Sequence, residues 1–202
     1  PVTEIYMAKG SYMVMDTTQI KGVDDTIRTT KAELDSEATL VITEKILTSK
    51  DQQAKTEFVV NLKGENSSTH VTSRSVATDN SYQEFISNIT GNTKCYIDVE
   101  LNGENSSTHV TSRSVAVDNS EQYFLSKIYG NSKSFSHSEC DAIIKGEGQV
   151  KAVPEIFAKN VDANLIHEAA IGKIAGEQLM KLMSLGLSEK EAEEVIINGF
   201  LK

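Results

Sequence analysis

One polar stretch, GENSSTHVTSRSVA, occurs twice in the chain without a single difference, as residues 64–77 and again as residues 103–116. The two copies are offset by 103 − 64 = 39 residues, and each is followed one residue later by Asp-Asn-Ser. Repeats spaced by about 20 to 50 residues are typical of solenoids, in which each unit stacks on the next and buries a shared core. The repeat therefore favours a β-solenoid.

The spacing also suggests how the two copies lie relative to each other. Coils of ~20 residues place two coils in each period of the repeat. In that arrangement His70 lies above or below His109, and Val71 lies near Val110. A β-sandwich with two duplicated hairpins remains the alternative interpretation of the same repeat.

The pattern of apolar and polar residues changes near residue 160. Before it, short β-branched runs such as 57–62 and 94–101 predict strands that are separated by Gly-Asn and Gly-Glu turns. After it, apolar residues at helical spacing end at Gly186, and Ser188 with Glu191 forms a capping box that predicts a second helix. We expect a β-body over residues 1–160 and a C-terminal helical segment over residues 161–202.

Composition limits the classes of partner and compartment. A net charge of −9 and a pI near 5.0 disfavour nucleic acid and anionic membrane surfaces, and no apolar run approaches the ~20 residues that span a bilayer. Two cysteines, Cys95 and Cys140, are too few for a disulfide framework, so we expect reduced thiols in the cytoplasm. Three sequons, at Asn66, Asn88 and Asn105, are expected by chance in a stretch so rich in Asn, Ser and Thr.

The motifs give no support for ATP binding by a phosphate-binding loop or for acyl hydrolysis, and they leave one small cluster of interest. The sole Gly-Lys pair lacks the rest of a phosphate-binding loop, and no serine lies in a G-x-S-x-G turn. His137 and Cys140 are followed by His167 and Glu168, and these residue types suit iron, zinc and sulfur chemistry. The alternative is structural, with Cys140 as a small buried hydrophobe and His167 as a hydrogen-bonded core histidine.

The two repeat histidines, His70 and His109, invite a similar question. Their equivalent places in the repeat make a metal ladder conceivable, but two imidazoles alone are an incomplete site. Stacked surface histidines are the preferred interpretation, and Cys95, inside an apolar strand, is interpreted as a core residue.

The C-terminal third resembles a known family. The resemblance is carried in order by CDAII from Cys140, VPEI from Val153, IHEAAIGKI from Ile166, EQL from Glu177 and NGF from Asn198. These strings closely resemble the SufB/SufD scaffold family of the SUF iron-sulfur cluster assembly system. The two ENSSTHVTSRS segments are similar to the repeated His-containing coils of the same family.

The resemblance implies a fold and a function. Its members carry a right-handed parallel β-helix followed by a helical segment, which here means a mainly β solenoid with a C-terminal α-helical hairpin. They are scaffolds rather than enzymes, pair as homodimers or with a SufD-like chain, and bind a SufC-type ABC ATPase through the helical region. The resemblance assigns Cys140, His167 and Glu168 to a transient cluster, metal or sulfur site, and apolar helix residues such as Leu179, Leu182 and Val195 to the ATPase.

Several positions depart from the family pattern. Ile166 replaces the first glutamate of the E-H-E-A motif, Met180-Lys181 replaces a common Phe-Tyr pair, and Leu185 stands where an arginine is frequent. Cys140 favours a SufB-like chain, because SufD-like chains usually lack that cysteine. Two other hypotheses stay open: a β-helical structural or interaction module without cluster chemistry, and a secreted β-helical protein that acts on carbohydrate.

Overall fold

The computed structural model describes residues 1–20, 23–91, 93–117 and 119–201. Thirteen strands precede two helices within these residues. The strands are β1 (Val2–Met7), β2 (Tyr12–Ile20), β3 (Asp25–Leu34), β4 (Thr39–Thr48), β5 (Gln53–Leu62), β6 (Ser68–Ala77), β7 (Tyr82–Thr90), β8 (Thr93–Leu101), β9 (Ser107–Ala116), β10 (Glu121–Gly130), β11 (Phe135–Ile144), β12 (Gln149–Ala158) and β13 (Asn164–Lys173). The helices are α1 (Gly176–Ser184) and α2 (Glu189–Phe200).

The strands form two parallel sheets that face each other. The odd-numbered strands make the odd sheet in the order β1-β3-β5-β7-β9-β11-β13, and the even-numbered strands make the even sheet, which runs from β2 to β12. Each coil therefore contributes one strand to each sheet and returns after two turns. This arrangement is a parallel β-solenoid of about six coils, as predicted.

The coil is longer than the sequence analysis predicted. Thr39 pairs with Ser68 on the next coil, a step of 29 residues, and Thr29 pairs with Glu57, a step of 28 residues. One coil is shorter, since Thr69 pairs with Thr93 after 24 residues. The prediction of ~20-residue coils is wrong, because each coil contains two strands and two turns.

The corrected coil length moves the two repeat copies to opposite sheets. The offset between the copies corresponds to about one and a half coils, so the first copy forms β6 in the even sheet and the second forms β9 in the odd sheet. His70 pairs with Val41 and Lys94, whereas His109 pairs with Glu84 and His137. The predicted stacking of His70 on His109, and of Val71 on Val110, is therefore wrong.

The repeat encodes a turn as well as a strand. A Cβ atom added to Gly64 would lie 1.9 Å from the backbone nitrogen of Ser36, and one added to Gly103 would lie 1.7 Å from that of Asp79. Asn66 and Asn105 adopt left-handed φ values of 57° and 61°. Gly and Asn are the residues that tolerate such close approach and such φ values, so the G-E-N segment is the turn that lets one coil pack on the previous one.

The core lies between the sheets and changes character across its width. Inward-facing positions alternate along each strand and carry apolar side chains, including Leu34, Leu40, Val60, Val71 and Leu101. Burial of each contributes about 1.5–3 kcal/mol to folding. Other inward-facing positions carry polar side chains, and these include buried serines, buried threonines and one carboxylate, Glu44.

The C-terminal segment begins with a strand. β13 lies inside the range predicted as helical, 161–202, and the helices begin only at Gly176. The predicted capping box is present, because the Ser188 hydroxyl accepts from the Glu191 backbone and the Glu191 carboxylate accepts from the Ser188 backbone. In the described part of the chain no helix is long and apolar enough to cross a membrane.

The helical hairpin is fixed to the solenoid through α2. Ala192 is fully buried, and the Lys145 ammonium, at the turn after β11, pairs with the Glu193 carboxylate. The ion pair links α2 to the β-body.

The three sequons occupy structured positions. Asn88 is buried on β7, which does not suit a glycosylated side chain, whereas Asn66 and Asn105 serve in turns. The sequons are therefore accounted for by the fold.

Candidate functional site

Cys140 lies near the C-terminal end of the solenoid and points into it. Buried and half-buried residues alternate along β11, and this places the Cys140 side chain on the inner face with 1% of the residue exposed. Its neighbours across the sheet are Ser112 on β9 and Ala169 on β13. A cysteine at this position is one coil from the end of the stack.

The environment of Cys140 keeps its sulfur protonated. Burial, together with the nearby Asp141 carboxylate, raises the pKa of the thiol to about 11, and a hydrogen bond with Ser112 lowers it by less. The thiolate is the form that attacks sulfur donors and binds iron. At neutral pH Cys140 is therefore an unreactive thiol in the isolated chain. Cluster chemistry requires a change in the surroundings of its sulfur.

Cys95 lies on β8 in the opposite sheet and shares the same interior. Both cysteines are buried and unbridged. Burial raises the pKa of the Cys95 thiol to about 12, a hydrogen bond with Ser87 lowers it, and charge on Cys140 raises it further. The prediction that Cys95 is a core residue agrees with its place in the hydrophobic core.

His167 is the unusual residue of this region. It lies on β13 opposite Ser138, on the inner face and diagonal to Cys140, which corresponds to roughly 8 Å between the two Cα atoms. Both ring nitrogens are buried, and neither has a hydrogen-bond partner among the described residues. Burial, and next the charge of His137, lower the pKa of the imidazole. A buried polar group without a partner costs about 1–3 kcal/mol, so this ring is available to a ligand.

Glu168 does not join the other two predicted site residues. This residue, the next along β13, faces outward, and 69% of its side chain is exposed. One carboxylate oxygen lies 3.8 Å from Nε2 of His137, on the outer face of the odd sheet. Cys140 and His167 thus share the inner face, and Glu168 lies on the opposite face.

A complete metal site is absent from the part of the chain that the structure describes. No three His, Cys, Asp or Glu side chains there are arranged, as they stand, to hold one ion. Cys140 and His167 can supply at most one sulfur and one nitrogen ligand from this chain. Any cluster built here needs further ligands from outside it.

The outer face of the odd sheet holds a histidine pair that the sequence analysis did not identify. His109 and His137 are direct partners on adjacent strands, and their ring centroids lie 4.9 Å apart in an edge-to-face arrangement. Burial and His137 lower the pKa of His109, and Glu84 raises it by less. Only the true coil length brings these two residues together, so no local pattern could indicate the pair.

The helical hairpin exposes apolar side chains, and they include only one of the three residues that were predicted to bind the ATPase. Leu179 and Leu182 are half-buried, whereas Val195 is 50% exposed. Met180, Met183 and Leu185 on α1 and its C-cap are exposed as well. Two of these three, Met180 and Leu185, are positions at which the sequence departs from its family pattern.

Comparison with known proteins decides the family. The protein-family model described as SUF system FeS cluster assembly, SufBD core domain, matches residues 1–200 of this chain. The chain belongs to the SufBD family. This agrees with the resemblance seen in its C-terminal strings and with the solenoid, and it extends the match to the N-terminal coils.

Individual SufBD relatives match to different extents. An iron-sulfur cluster assembly SufBD family protein from Methanocaldococcus jannaschii is 41% identical over all 202 residues, which cover 100% of this chain and 52% of that protein. A SufBD family protein from Pyrococcus horikoshii is 51% identical over 65 residues, 32% of this chain and 20% of the relative. A SufBD family protein from Archaeoglobus fulgidus is 46% identical over 67 residues, which are 33% of this chain and 18% of that relative. The chain spans about half the length of the Methanocaldococcus relative, and the matches to the other two cover less.

Proposed function

We propose that this SufBD chain is a scaffold subunit, not an enzyme, on which a transient iron-sulfur cluster is assembled as cargo. One observation carries the proposal. Cys140 on β11 and the unpartnered imidazole of His167 on β13 share the inner face of the last two strands of the odd sheet. A thiolate can accept sulfur or bind iron, and a neutral imidazole is a suitable second ligand for a labile cluster.

The open end of the solenoid supports pairing with a second subunit, either a copy of this chain or a SufD-like one. β13 pairs only with β11, and β12 pairs only with β10, so each has one edge whose backbone groups lack a strand partner among the described residues. Such edges are templates for another chain. A partner seated there would lie beside His167 and could supply the ligands that one chain lacks.

Pairing also offers a way to activate the buried thiol. Cys140 is one strand away from the free edge of β13, so a partner that displaces β13 would expose it. A partner that brings a cation or a metal near the sulfur would lower its pKa from about 11 toward neutrality.

The helical hairpin is proposed as the binding surface for a SufC-type ABC ATPase. Exposed apolar side chains lie on a hairpin that the Lys145–Glu193 ion pair links to the body; they are Met180, Met183, Leu185 and Val195. Exposed apolar residues that cluster on one element are typical of protein interfaces. The reduced state required of Cys140 fits a cytoplasmic protein.

Co-expression with the cognate ATPase tests this function. We expect the anaerobically purified complex to contain the ATPase and iron, and iron to fall to background in Cys140→Ser while the ATPase is retained. Cys95→Ser is the matched control, because it removes a second buried thiol and should keep its iron. Equal iron in the native and Cys140→Ser complexes would contradict the proposal.

The second candidate is a structural or interaction module that keeps the fold and the pairing surface but performs no cluster chemistry. The observation in its favour is the burial of Cys140, whose thiol has a pKa of about 11 in the closed chain. A complex with bound ATPase and no iron, unchanged by Cys140→Ser, would support this function instead.

A further inference from the structure

We propose that the outer face of the even sheet carries a binding site for a nucleoside monophosphate, with the phosphate between Lys94 and Lys151 and the base on Tyr96 and Tyr123. The site belongs to the even sheet, whereas the candidate cluster residues belong to the odd sheet. It therefore stands independently of the scaffold function.

The site is a cavity at the place where three neighbouring strands of the even sheet begin. Its volume is about 380 Å³, and the first residues of β8, β10 and β12 form most of its lining. Small-molecule sites have volumes of about 300–1,000 Å³. The cavity is thus of a size that suits one small ligand.

Two lysines flank one tyrosine across the cavity. Lys94 on β8 and Lys151 on β12 are both direct partners of Tyr123 on β10, one from each side. Neighbouring strands are about 4.8 Å apart, so the Cα atoms of the two lysines are ~10 Å apart and both ammonium groups can reach one phosphate. Glu121 is the one carboxylate among the described residues that line the cavity, which leaves the positive charges in excess.

Another row on the same outer face shows how this sheet compensates its charges elsewhere. Four consecutive cross-strand partners there alternate in sign: Arg74, Asp98, Lys127 and Glu155. The last two form an ion pair at 3.0 Å. By contrast, Lys94 lies between His70 and Tyr123, and the partner of Lys151 is Tyr123, so neither lysine has a carboxylate beside it across the sheet. An anionic ligand would supply the missing compensation.

The two tyrosines provide an aromatic surface beside the lysines. The ring centroids of Tyr96 and Tyr123 are 5.7 Å apart, and their planes are inclined by 47°. Nζ of Lys151 lies 5.7 Å from the centroid of the Tyr123 ring, so this ammonium is directed toward the middle of the row. Both rings are half-buried and are held by their strands. Such rings are platforms on which a nucleobase stacks.

The two features together select the class of ligand. Lysine binds phosphate as a point charge, and a planar base stacks on an aromatic ring. A polynucleotide is a poor fit, because the net charge of −9 repels a long phosphate backbone. A nucleoside monophosphate carries one phosphate and one base, which match the lysines and the tyrosines respectively.

His70 gives the site an internal reporter. It is the direct partner of Lys94, and burial, followed by the charge of Lys94, lowers the pKa of its imidazole. A phosphate bound to Lys94 offsets that charge and so raises the pKa of His70. His109 is the matched control, because it has the same local sequence but lies in the odd sheet between Glu84 and His137.

Titration of the tag-free native chain with AMP, followed by calorimetry and by NMR of the histidine ring protons, tests the site. We expect one AMP per chain and a loss of tenfold or more in affinity for Lys94→Gln and for Lys151→Gln. Lys45→Gln, which removes an exposed lysine from β4 on the same face, should change the affinity less than twofold. Adenosine and inorganic phosphate should each bind at least tenfold more weakly than AMP. AMP should raise the pKa of His70 and leave that of His109 unchanged.

Four results would overturn the proposal. The first is the absence of saturable AMP binding. The second is an equal loss in Lys45→Gln, which would indicate nonspecific attraction to surface charge. The third is inorganic phosphate that binds as tightly as AMP, which would show that the tyrosines hold no base. The fourth is an equal change in the pKa of His109, which would place the ligand elsewhere. Circular dichroism of each variant separates loss of the site from loss of the fold.

Discussion

His70 and His109 occupy the same place in two identical segments, yet they lie in opposite sheets of the solenoid. The reason is that the offset between the segments is about one and a half coils, and both sheets accept the same alternation of inward and outward side chains. One segment therefore serves in two environments. His70 faces a lysine, and His109 faces a second histidine.

The repeated glycines should be indispensable for stability. Gly64→Ala and Gly103→Ala each insert a methyl group less than 2 Å from the backbone of the preceding turn. We expect each to lower the free energy of unfolding by about 3 kcal/mol or to prevent folding. Gly172→Ala is the control, since nothing lies within 4 Å of its added Cβ. Urea denaturation measures the difference, and equal midpoints for Gly103→Ala and Gly172→Ala would contradict the proposed packing of the turns.

Sequence reasoning succeeded where the signal is local. The strands, the Gly-Glu turns at Gly64 and Gly103, and the Ser188–Glu191 capping box depend on residues a few positions apart, and these are confirmed. It failed on the coil length, because strand partners lie a whole coil apart in the sequence and no pattern marks which residues pair. For the same reason, the sequence did not indicate the His109–His137 pair or the separation of Glu168 from Cys140.

Glu44 is a second position with a measurable energetic role. Its buried carboxylate accepts from the Thr56 hydroxyl at 2.9 Å and the Ser73 hydroxyl at 3.0 Å, and it pairs with Arg28 at 2.9 Å. Glu44→Ala leaves all three groups without this partner and should cost about 3 kcal/mol. The exposed pair of Glu33 with Lys63 provides the control, since Glu33→Ala should cost less than about 1 kcal/mol. Urea denaturation of both variants checks this, and equal losses would contradict the role of Glu44.

The shifted pKa of Glu44 predicts how its replacement by a neutral residue affects stability. Burial raises the pKa of Glu44 despite Arg28 and the two hydroxyls, so the fold favours the protonated form. Glu44→Gln, which resembles that form, should therefore cost less than Glu44→Ala. Because the folded pKa exceeds the unfolded one, the contribution of native Glu44 to stability falls as the pH rises above about 4.5. The opposite order of the two variants in thermal denaturation would contradict this interpretation.

Cys140 should resist alkylation in the isolated chain. The residue is 1% exposed and its thiol has a pKa of about 11, so at pH 8 iodoacetamide should modify it at least tenfold more slowly than in urea. Stability linked to this thiol is present below its unfolded pKa near 9.0 and is lost as the pH rises toward 11. Mass spectrometry of the Cys140 peptide gives the rate. Equally fast modification of the folded and unfolded chains would show that the thiol is open.

Binding of the ATPase should depend on the apolar surface of the hairpin. Leu185 is 76% exposed, so Leu185→Asp should leave the fold intact and weaken ATPase binding by tenfold or more. Val161, at 98% exposure in the turn before β13, lies outside the hairpin, and Val161→Asp serves as the control. Surface plasmon resonance compares the two variants, and equal affinities would place the ATPase elsewhere.

The central claim is that Cys140 takes part in cluster assembly, and anaerobic reconstitution tests it most directly. The native chain and its Cys140→Ser and Cys95→Ser variants, each with the cognate ATPase, are incubated with iron and sulfide and followed by visible absorption. We predict thiolate-to-iron absorption in the native and Cys95→Ser complexes and none in Cys140→Ser. Absorption of equal strength in Cys140→Ser would contradict the claim, as would its absence from all three.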